Sequence, residues 1–176
     1  DYKFDLTPIG PMADLYKMAT LGEKGVDLLI GDSTNALNEG FSNSESVVDE
    51  TLGEMFDKCK NNRIIIATFS SNVHRVQKII ENAVKYGRKV TVSGRSMENV
   101  VEVASNLGYM KIPEKILISI DDIKKYKPHQ LVIITTGSQG EPMSALTRMA
   151  FSDHRKVFVG PNDYVIISAT PIPGNE

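Results

Sequence analysis

Residues 131–146 have the sequence LVIITTGSQGEPMSAL, and this stretch decides the fold. The apolar run 131–134 is typical of a strand that is buried on both faces of a parallel sheet. Two glycines follow it, and the pattern predicts a helix over 142–150 with Pro142 near its first turn. Glycines between a strand and a helix let backbone N–H groups converge, and a helix start carries partial positive charge. The stretch therefore predicts a βα unit suited to a phosphate; the alternative is a tight connection without a ligand.

The same alternation of strand and helix extends to both sides of this unit. Apolar runs predict strands at 26–30, 63–69, 89–93, 131–135, 157–159 and 164–168. Helices are predicted after a capping box of Ser42 and Glu45, from 72 to about 86, and from about 96 to 107. Repeated βα units of this kind predict an α/β fold, a doubly wound, mainly parallel sheet flanked by helices.

Composition excludes several classes of protein. The chain has 176 residues, of which 41% are hydrophobic and 24% charged, as in an ordinary globular domain. A net charge of −2 argues against a uniformly basic nucleic-acid binder, although not against a local basic strip. A single cysteine, Cys59, rules out an internal disulfide, and the apolar runs are too short to predict a membrane span. No signal peptide is predicted at the start. Because the first residue is Asp1 and not Met, we interpret the chain as a piece of a longer protein.

Polar side chains follow four of the predicted strands, at 32–35, 68–75, 93–96 and 135–141. The carboxyl ends of parallel strands meet at one edge of a sheet, and ligands bind there. Hydroxyls, amides, a histidine and two arginines at one edge predict a cleft for a polar, anionic ligand. For any single segment the alternative is helix capping, which Ser, Thr and Asn commonly perform.

Metal-ligand and nucleophile patterns are not complete in this chain. The three histidines show no paired spacing such as H-x-H or H-E-x-x-H. We expect His129 and His154 to be solvated surface residues, whereas His74 either faces a ligand or is an ordinary surface histidine. Cys59 lies on the apolar stripe of its helix, which predicts a core position, and no G-x-S-x-G motif occurs.

Six segments in order resemble the ribonuclease J family of the metallo-β-lactamase superfamily. They are DYKFD (1–5), LIGDSTN (29–35), ATFSSNVHR (67–75), GRSM (94–97), TGSQGEPMSAL (136–146) and ISATPIPGNE (167–176). The resemblance implies that the chain is mainly a β-CASP domain, which in this family is inserted within the metallo-β-lactamase domain. The expected boundaries are 1–11 for the end of the metallo-β-lactamase part, 12–168 for the β-CASP domain and 169–176 for the return segment.

The resemblance also implies an activity for the full-length enzyme. Members of the family hydrolyse RNA phosphodiester bonds at a two-zinc site in the cleft between the two domains. They act as endonucleases and as 5′-to-3′ exonucleases in mRNA decay and rRNA maturation. The implied partners are RNA and the metallo-β-lactamase domain of the same polypeptide. A cytoplasmic homo-oligomer without a membrane span is expected for the full-length protein.

Roles for individual residues follow from the matched motifs. Asp1 matches the aspartate that bridges the two metals, and Asp32 matches an acidic residue that orients a histidine proposed to protonate the leaving group. The residues expected to approach RNA are Ser70, Ser71, Asn72, His74, Arg75, Arg95, Gly137, Ser138, Gln139, Gly140 and Glu141. The H-x-H-x-D-H and H-x-S-G-H motifs of the family belong upstream and downstream of this chain. We therefore expect the fragment to hold no zinc and to be inactive alone.

A second class of function stays open from sequence alone. A parallel α/β domain is also compatible with a Rossmann-like nucleotide-binding module that has no nuclease role. Against this alternative, the chain has no G-x-G-x-x-G at its first βα turn and no G-x-x-x-x-G-K-[ST] motif.

Overall fold

The structure, a computed structural model, describes residues 4–33, 36–170 and 172–175. The chain divides into two compact units, residues 1–50 and 51–176. The four strands formed by the described residues all lie in the second unit, which is built as a parallel sheet with helices. The predicted α/β architecture is therefore confirmed for this unit.

The described residues of the first unit form one complete helix, α1 (Leu15–Lys24), which was not among the predicted elements. The Asp14 side chain caps it by accepting a hydrogen bond of 2.9 Å from the backbone N–H of Lys17. None of the described residues of this unit is buried. The strand predicted at 26–30 was wrong: Leu29 and Ile30 are exposed, and the segment forms no strand. A strand needs a neighbouring strand for its backbone hydrogen bonds, and 26–30 has none among the described residues.

Helix α2 (Glu45–Lys58) begins later than the predicted capping box requires. Its first N–H, that of Glu45, donates to the Asp5 carboxylate at 2.9 Å, and the Ser44 hydroxyl donates to the same carboxylate at 3.0 Å. Asp5 therefore supplies the cap acceptor that was assigned to Ser42. Towards its end the helix buries Leu52 and Phe56, and Cys59 just beyond it is buried as predicted.

The sheet consists of β1 (Arg63–Ala67), β2 (Lys89–Ser93), β3 (Leu131–Thr135) and β4 (Asp163–Ile167) in the order β2-β3-β1-β4. All three pairings are parallel, with Ile65 beside both Ile133 and Val165. The central strands β1 and β3 are almost entirely buried because both faces are covered. Their alternate residues Ile65 and Ile133 pack in one core cluster with Leu146, Met149 and Val157.

Three further helices connect or cover the strands: α3 (Val73–Lys85), α4 (Arg95–Asn106) and α5 (Ala145–Ala150). The first two match their predicted ranges within one residue at each end. Helix α5 is shorter than predicted because Pro142 lies in a β-turn, in which the N–H of Ser144 donates to the carbonyl of Glu141 at 3.1 Å. The Ser144 hydroxyl then caps the helix by accepting from Thr147 N–H. Short 3₁₀ turns at Ile120–Lys125 and Pro128–Gln130 precede β3.

The strand predicted at 157–159 was also wrong. Val157 is buried in the core as an apolar residue should be, but Phe158 is exposed. The N–H of Val159 donates to the carbonyl of Met149 at the end of α5, at 3.1 Å, instead of joining a ladder. The segment therefore serves as a connection between α5 and β4 that is anchored in the core by Val157.

Two arginines, the half-buried Arg63 and the buried Arg88, join elements at the amino edge of the sheet. Arg63 of β1 makes a two-pronged ion pair with Asp163 of β4, its partner in the register, with an Nε–Oδ1 distance of 2.8 Å. Arg88, only 2% exposed, donates to the carbonyls of Cys59 at 2.6 Å and Asn62 at 2.7 Å. Arg88 thereby satisfies carbonyls just beyond the end of α2, where helices leave them without intrahelical partners.

Candidate functional site

The carboxyl ends of the strands meet at one edge of the sheet, here called the candidate edge. Its strand ends are Thr68 after β1, Ser93 and Thr135 in β2 and β3, and Ser168 after β4. The ladder continues past the strands, since Thr68 N–H donates to Thr135 O at 3.1 Å and Ser168 N–H to Ala67 O at 2.9 Å. Three of the four predicted polar strand ends are therefore brought together.

The fourth predicted strand end, 32–35, belongs to the first compact unit. Asp32 is exposed there and follows no strand, while Thr34 and Asn35 lie outside the described residues. The assignment of Asp32 to a catalytic role remains a prediction.

Thr68 is the least satisfied polar group of the candidate edge. Its side chain is 1% exposed, and its hydroxyl oxygen has no hydrogen-bond partner within the described ranges. A buried polar group without a partner costs about 1–3 kcal/mol, so few are retained in native proteins. This cost makes Thr68 a position at which an added hydrogen-bonding group would be stabilising.

Arg75 lies in the first turn of α3 and reaches the end of β4. Asn72 caps the helix by accepting from Arg75 N–H at 3.1 Å. The guanidinium Nη1 donates to Ser168 O at 3.0 Å and is 3.3 Å from Ser168 Oγ. Arg75 therefore carries positive charge to the candidate edge and joins two elements there. Of the neighbouring predicted residues, Ser71 and His74 are exposed, whereas Ser70 is half-buried.

Arg95 is the first residue of α4 and is exposed. Gly94 before it has φ of 108°, and a Cβ there would lie 2.6 Å from the hydroxyl oxygen of Thr136. Glycine is required at 94 both for this conformation and for the close approach of β3. Within the described part of the chain, Arg95 makes no ion pair, so its charge is available to a ligand.

Residues 137–141, here called the glycine loop, follow β3 at the candidate edge. Gly137 has φ of 105°, and a Cβ there would lie 2.2 Å from Ser144 Oγ, so the loop folds back tightly on the start of α5. Ser138 is buried, whereas Gln139 and Gly140 are partly exposed. The five residues are thus placed at the edge as expected, although their contacts to RNA remain predictions.

The backbone amides of the glycine loop are partly occupied within the loop itself. The N–H of Gln139 donates to the Glu141 carboxylate at 2.9 Å, and Gly140 N–H donates to Gly137 O at 3.4 Å. A phosphate could take the Gln139 amide only by displacing Glu141. Sequence reasoning missed this role of Glu141, because a carboxylate two residues along a loop gives no pattern that fixes its direction.

His154 was expected to be solvated, and this expectation was wrong. Its Nε2 lies 3.1 Å from Ser93 Oγ at the end of β2, and its Nδ1 accepts hydrogen bonds from Lys156 and Val157 N–H at 3.3 and 3.1 Å. Because Nδ1 is an acceptor, the proton is assigned to Nε2. Burial lowers the pKa of the imidazole, and the nearby Arg148 lowers it further.

Acidification is expected to destabilise the chain through His154. Its folded-state pKa lies below the ordinary value of 6.5, so the unfolded chain binds more protons at pH values between the two. The stabilisation is complete above about pH 6.5 and is lost as the pH falls through the folded-state value. Urea unfolding at pH 7.5 and 5.5 measures the effect. His154→Asn, which retains an acceptor for nearby backbone N–H groups, should reduce the difference between the two pH values. His129→Asn, at an exposed histidine, should leave it unchanged; the same result for both variants would contradict the assignment.

Comparison with known proteins identifies the family of the chain. The family model described as "Ribonuclease J, beta-CASP domain" matches residues 61–176. The chain belongs to the ribonuclease J family. It is similar to ribonuclease J of Helicobacter pylori (strain ATCC 700392 / 26695), with 48% identity over 177 residues that cover 100% of this chain and 26% of the relative. Ribonuclease J2 of Bacillus subtilis (strain 168) is 43% identical over 179 residues, which cover 100% of this chain and 32% of the relative.

A third relative gives the same result. Ribonuclease J 1 of Streptococcus pyogenes serotype M3 is 47% identical over 175 residues, which cover 99% of this chain and 31% of the relative. The chain therefore spans about a quarter to a third of the length of these curated ribonuclease J proteins.

The ribonuclease J β-CASP match contains all four strands and the whole candidate edge. It begins at residue 61, close to the division between the compact units at Glu50 and Thr51. The boundaries predicted at 11/12 and 168/169 remain predictions.

The described residues do not form a metal site for a ribonuclease J enzyme by themselves. No group of three or more His, Cys, Asp or Glu side chains in the described ranges is placed to hold an ion. Asp1, the predicted ligand, lies outside those ranges. Among the described residues, no helix has the length and apolar character needed to cross a membrane.

Proposed function

We propose that the candidate edge is an RNA-binding surface of a zinc-dependent ribonuclease. The parent enzyme would hydrolyse RNA phosphodiester bonds, as an endonuclease and as a 5′-to-3′ exonuclease, in cytoplasmic mRNA decay and rRNA maturation. It would be a homo-oligomer whose metallo-β-lactamase domain supplies the other side of the cleft. Because the described residues provide no metal site, the ligands of two zinc ions would come from Asp1 and from other parts of the polypeptide. We expect the chain alone to bind RNA without cleaving it.

The observation that carries this proposal is the polar and positively charged candidate edge in a family whose named relatives are ribonucleases. Arg75 lies in the first turn of α3, and Arg95 is the first residue of the neighbouring helix α4. Guanidinium groups bind phosphate oxygens through paired N–H donors, which suits them to a nucleic-acid backbone. The hydroxyl of Thr68 adds a buried group that lacks a partner within the described ranges.

Electrostatics restricts how RNA would contact the glycine loop. The Glu141 carboxylate lies at the Gln139 amide and repels phosphate there. The partly exposed side chain of Gln139 is therefore better suited to contact sugar or base groups, while the arginines contact phosphates. This division would give the edge a phosphate-binding part and a part that distinguishes an RNA strand by its hydroxyls.

Replacing Arg95 by alanine is expected to weaken RNA binding by about threefold to tenfold, the range of one net hydrogen bond. A fluorescently labelled, 5′-monophosphorylated single-stranded RNA is titrated with the chain at 50 and 200 mM salt. Each lost phosphate contact should reduce the salt slope by about 0.7. Lys127→Ala removes an equal charge from an exposed residue just before β3, at the opposite end of that strand. This control should bind RNA like the unchanged chain.

Two outcomes would count against the proposal. Affinity that does not change with salt would show that the edge makes no phosphate contacts. Equal effects of Arg95→Ala and Lys127→Ala would show that RNA responds only to overall charge. Parallel titrations with NAD and ATP test the Rossmann-like alternative, which requires that a nucleotide bind more tightly than RNA.

A further inference from the structure

Residues 172–175, Ile-Pro-Gly-Asn, form a tight turn at the end of the described chain, here called the C-terminal turn. Asn175 N–H donates to Ile172 O at 2.9 Å, and Gly174 has φ of 93°. Proline at the second position fixes a negative φ, and glycine at the third permits a positive one, which is the combination of a type II β-turn. The sequence thus builds a turn that loses little conformational entropy on forming.

The first and last residues of the C-terminal turn both donate hydrogen bonds to the carbonyl of Gln139 in the glycine loop. Ile172 N–H donates to Gln139 O at 3.2 Å, and the Asn175 side-chain amide donates to it at 3.4 Å. The backbone N–H of Gln139 is also hydrogen-bonded, since it donates to the Glu141 carboxylate. With its carbonyl and its N–H both bonded, the peptide groups on either side of Gln139 cannot rotate without losing hydrogen bonds.

Gly140 shows how closely the turn and the loop approach each other. A Cβ at position 140 would lie 2.3 Å from the carbonyl oxygen of Asn175, and the residue has φ of 79°. Any side chain at 140 would push the C-terminal turn away from the loop. The second glycine of the loop is therefore needed for contact with the turn, in addition to the bend of the loop itself.

We propose that the C-terminal turn positions the glycine loop for RNA, and that Asn175 is a positioning residue of the candidate edge. This inference rests on the proposed RNA-binding function. By fixing the backbone at Gln139, the turn determines where the Gln139 side chain points and keeps the loop in one conformation before RNA arrives. A loop that is ordered in advance binds with a smaller entropic cost.

The test compares Asn175→Ala with Asn106→Ala, an exposed asparagine at the end of α4. Amide hydrogen exchange at Ile172 and Gln139, RNA affinity and the thermal unfolding midpoint are measured on the 176-residue chain. Asn175→Ala should increase exchange and weaken binding of the 5′-monophosphorylated RNA, each by about threefold to tenfold, with an unchanged unfolding midpoint. Gly140→Ala should produce the same changes from the other side of the contact, and Asn106→Ala should produce neither.

Each alternative result has a distinct meaning. Unchanged exchange at Ile172 and Gln139 in Asn175→Ala would show that Asn175 does not hold the glycine loop against the C-terminal turn. Faster exchange with full RNA affinity overturns the positioning role. If the unchanged chain binds no RNA, the proposed function fails instead. Faster exchange in Asn175→Ala and Gly140→Ala would still support the contact between the C-terminal turn and the glycine loop.

Discussion

Replacing Asp163 by alanine is expected to lower the free energy of unfolding by about 3–5 kcal/mol, the cost of breaking a buried ion pair by removing one partner. The Asp163 side chain is 6% exposed and that of Arg63 is 17% exposed. The substitution leaves the guanidinium charge in a largely buried site at the start of β1. It also removes the acceptor of Gly160 N–H, which donates to Asp163 Oδ2 at 2.7 Å. Urea unfolding followed by circular dichroism measures the change.

Two further variants test whether the loss of stability comes from leaving a buried charge without its partner. Glu54→Ala breaks the exposed pair with Lys58, whose side chains are 68% and 64% exposed, and should cost less than about 1 kcal/mol. Asp163→Asn retains an acceptor for the Gly160 N–H, so its loss in free energy of unfolding should fall between those of Glu54→Ala and Asp163→Ala. Similar losses in Glu54→Ala and Asp163→Ala would show that burial of the pair has no special importance.

Asp32→Asn in the full-length enzyme is expected to reduce RNA cleavage by roughly 10²-fold or more. The family resemblance assigns Asp32 to orienting a histidine that lies outside this chain. An aspartate beside an imidazole favours its protonated form, and general acid catalysis contributes about 10²–10⁴-fold. Asparagine nearly preserves the shape of the side chain and removes its charge. Single-turnover cleavage of a 5′-monophosphorylated RNA measures the loss.

The matched control is Asp27→Asn, the same chemical change at an exposed residue five positions earlier. Cleavage, zinc content and unfolding midpoint should all remain at their original values in this control. For Asp32→Asn, zinc content and midpoint should also remain, so that only the chemical step is slower. Near-normal cleavage would indicate that Asp32 is a local capping residue, and loss of zinc would indicate a structural role.

The sequence located the two central strands, β1 and β3, which have a neighbour on each side, and also the edge strand β2. The predicted bounds of β2 and β3 coincide with the structure, and β1 was predicted two residues too long. Continuous apolar runs leave little choice at such positions, because any other arrangement would expose them. The prediction of a strand at 26–30 failed for a different reason. An apolar run indicates that a segment prefers burial, but it does not show whether another strand lies beside it to form hydrogen bonds.

The candidate edge was predictable because parallel strands align their carboxyl ends. The contacts that complete it were not predictable, since they join residues distant in sequence. His154 and Ser93 are 61 positions apart, and Arg75 and Ser168 are 93 apart. A histidine between two charged residues resembles a surface residue until the fold places a hydroxyl beside it.

The central position of β1 affects how the chain folds during synthesis. Both partners of β1 come later in sequence, and its Arg63 pairs with a residue 100 positions further on. At a synthesis rate of about 5–20 residues per second, β1 would leave the ribosome roughly 5–20 s before β4. For about the first two thirds of that interval, until β3 has also been made, the apolar run 64–66 has neither of its final partners. A strand that is almost entirely buried in the finished sheet is therefore exposed for seconds while the chain is being made, and it needs protection from aggregation during that time.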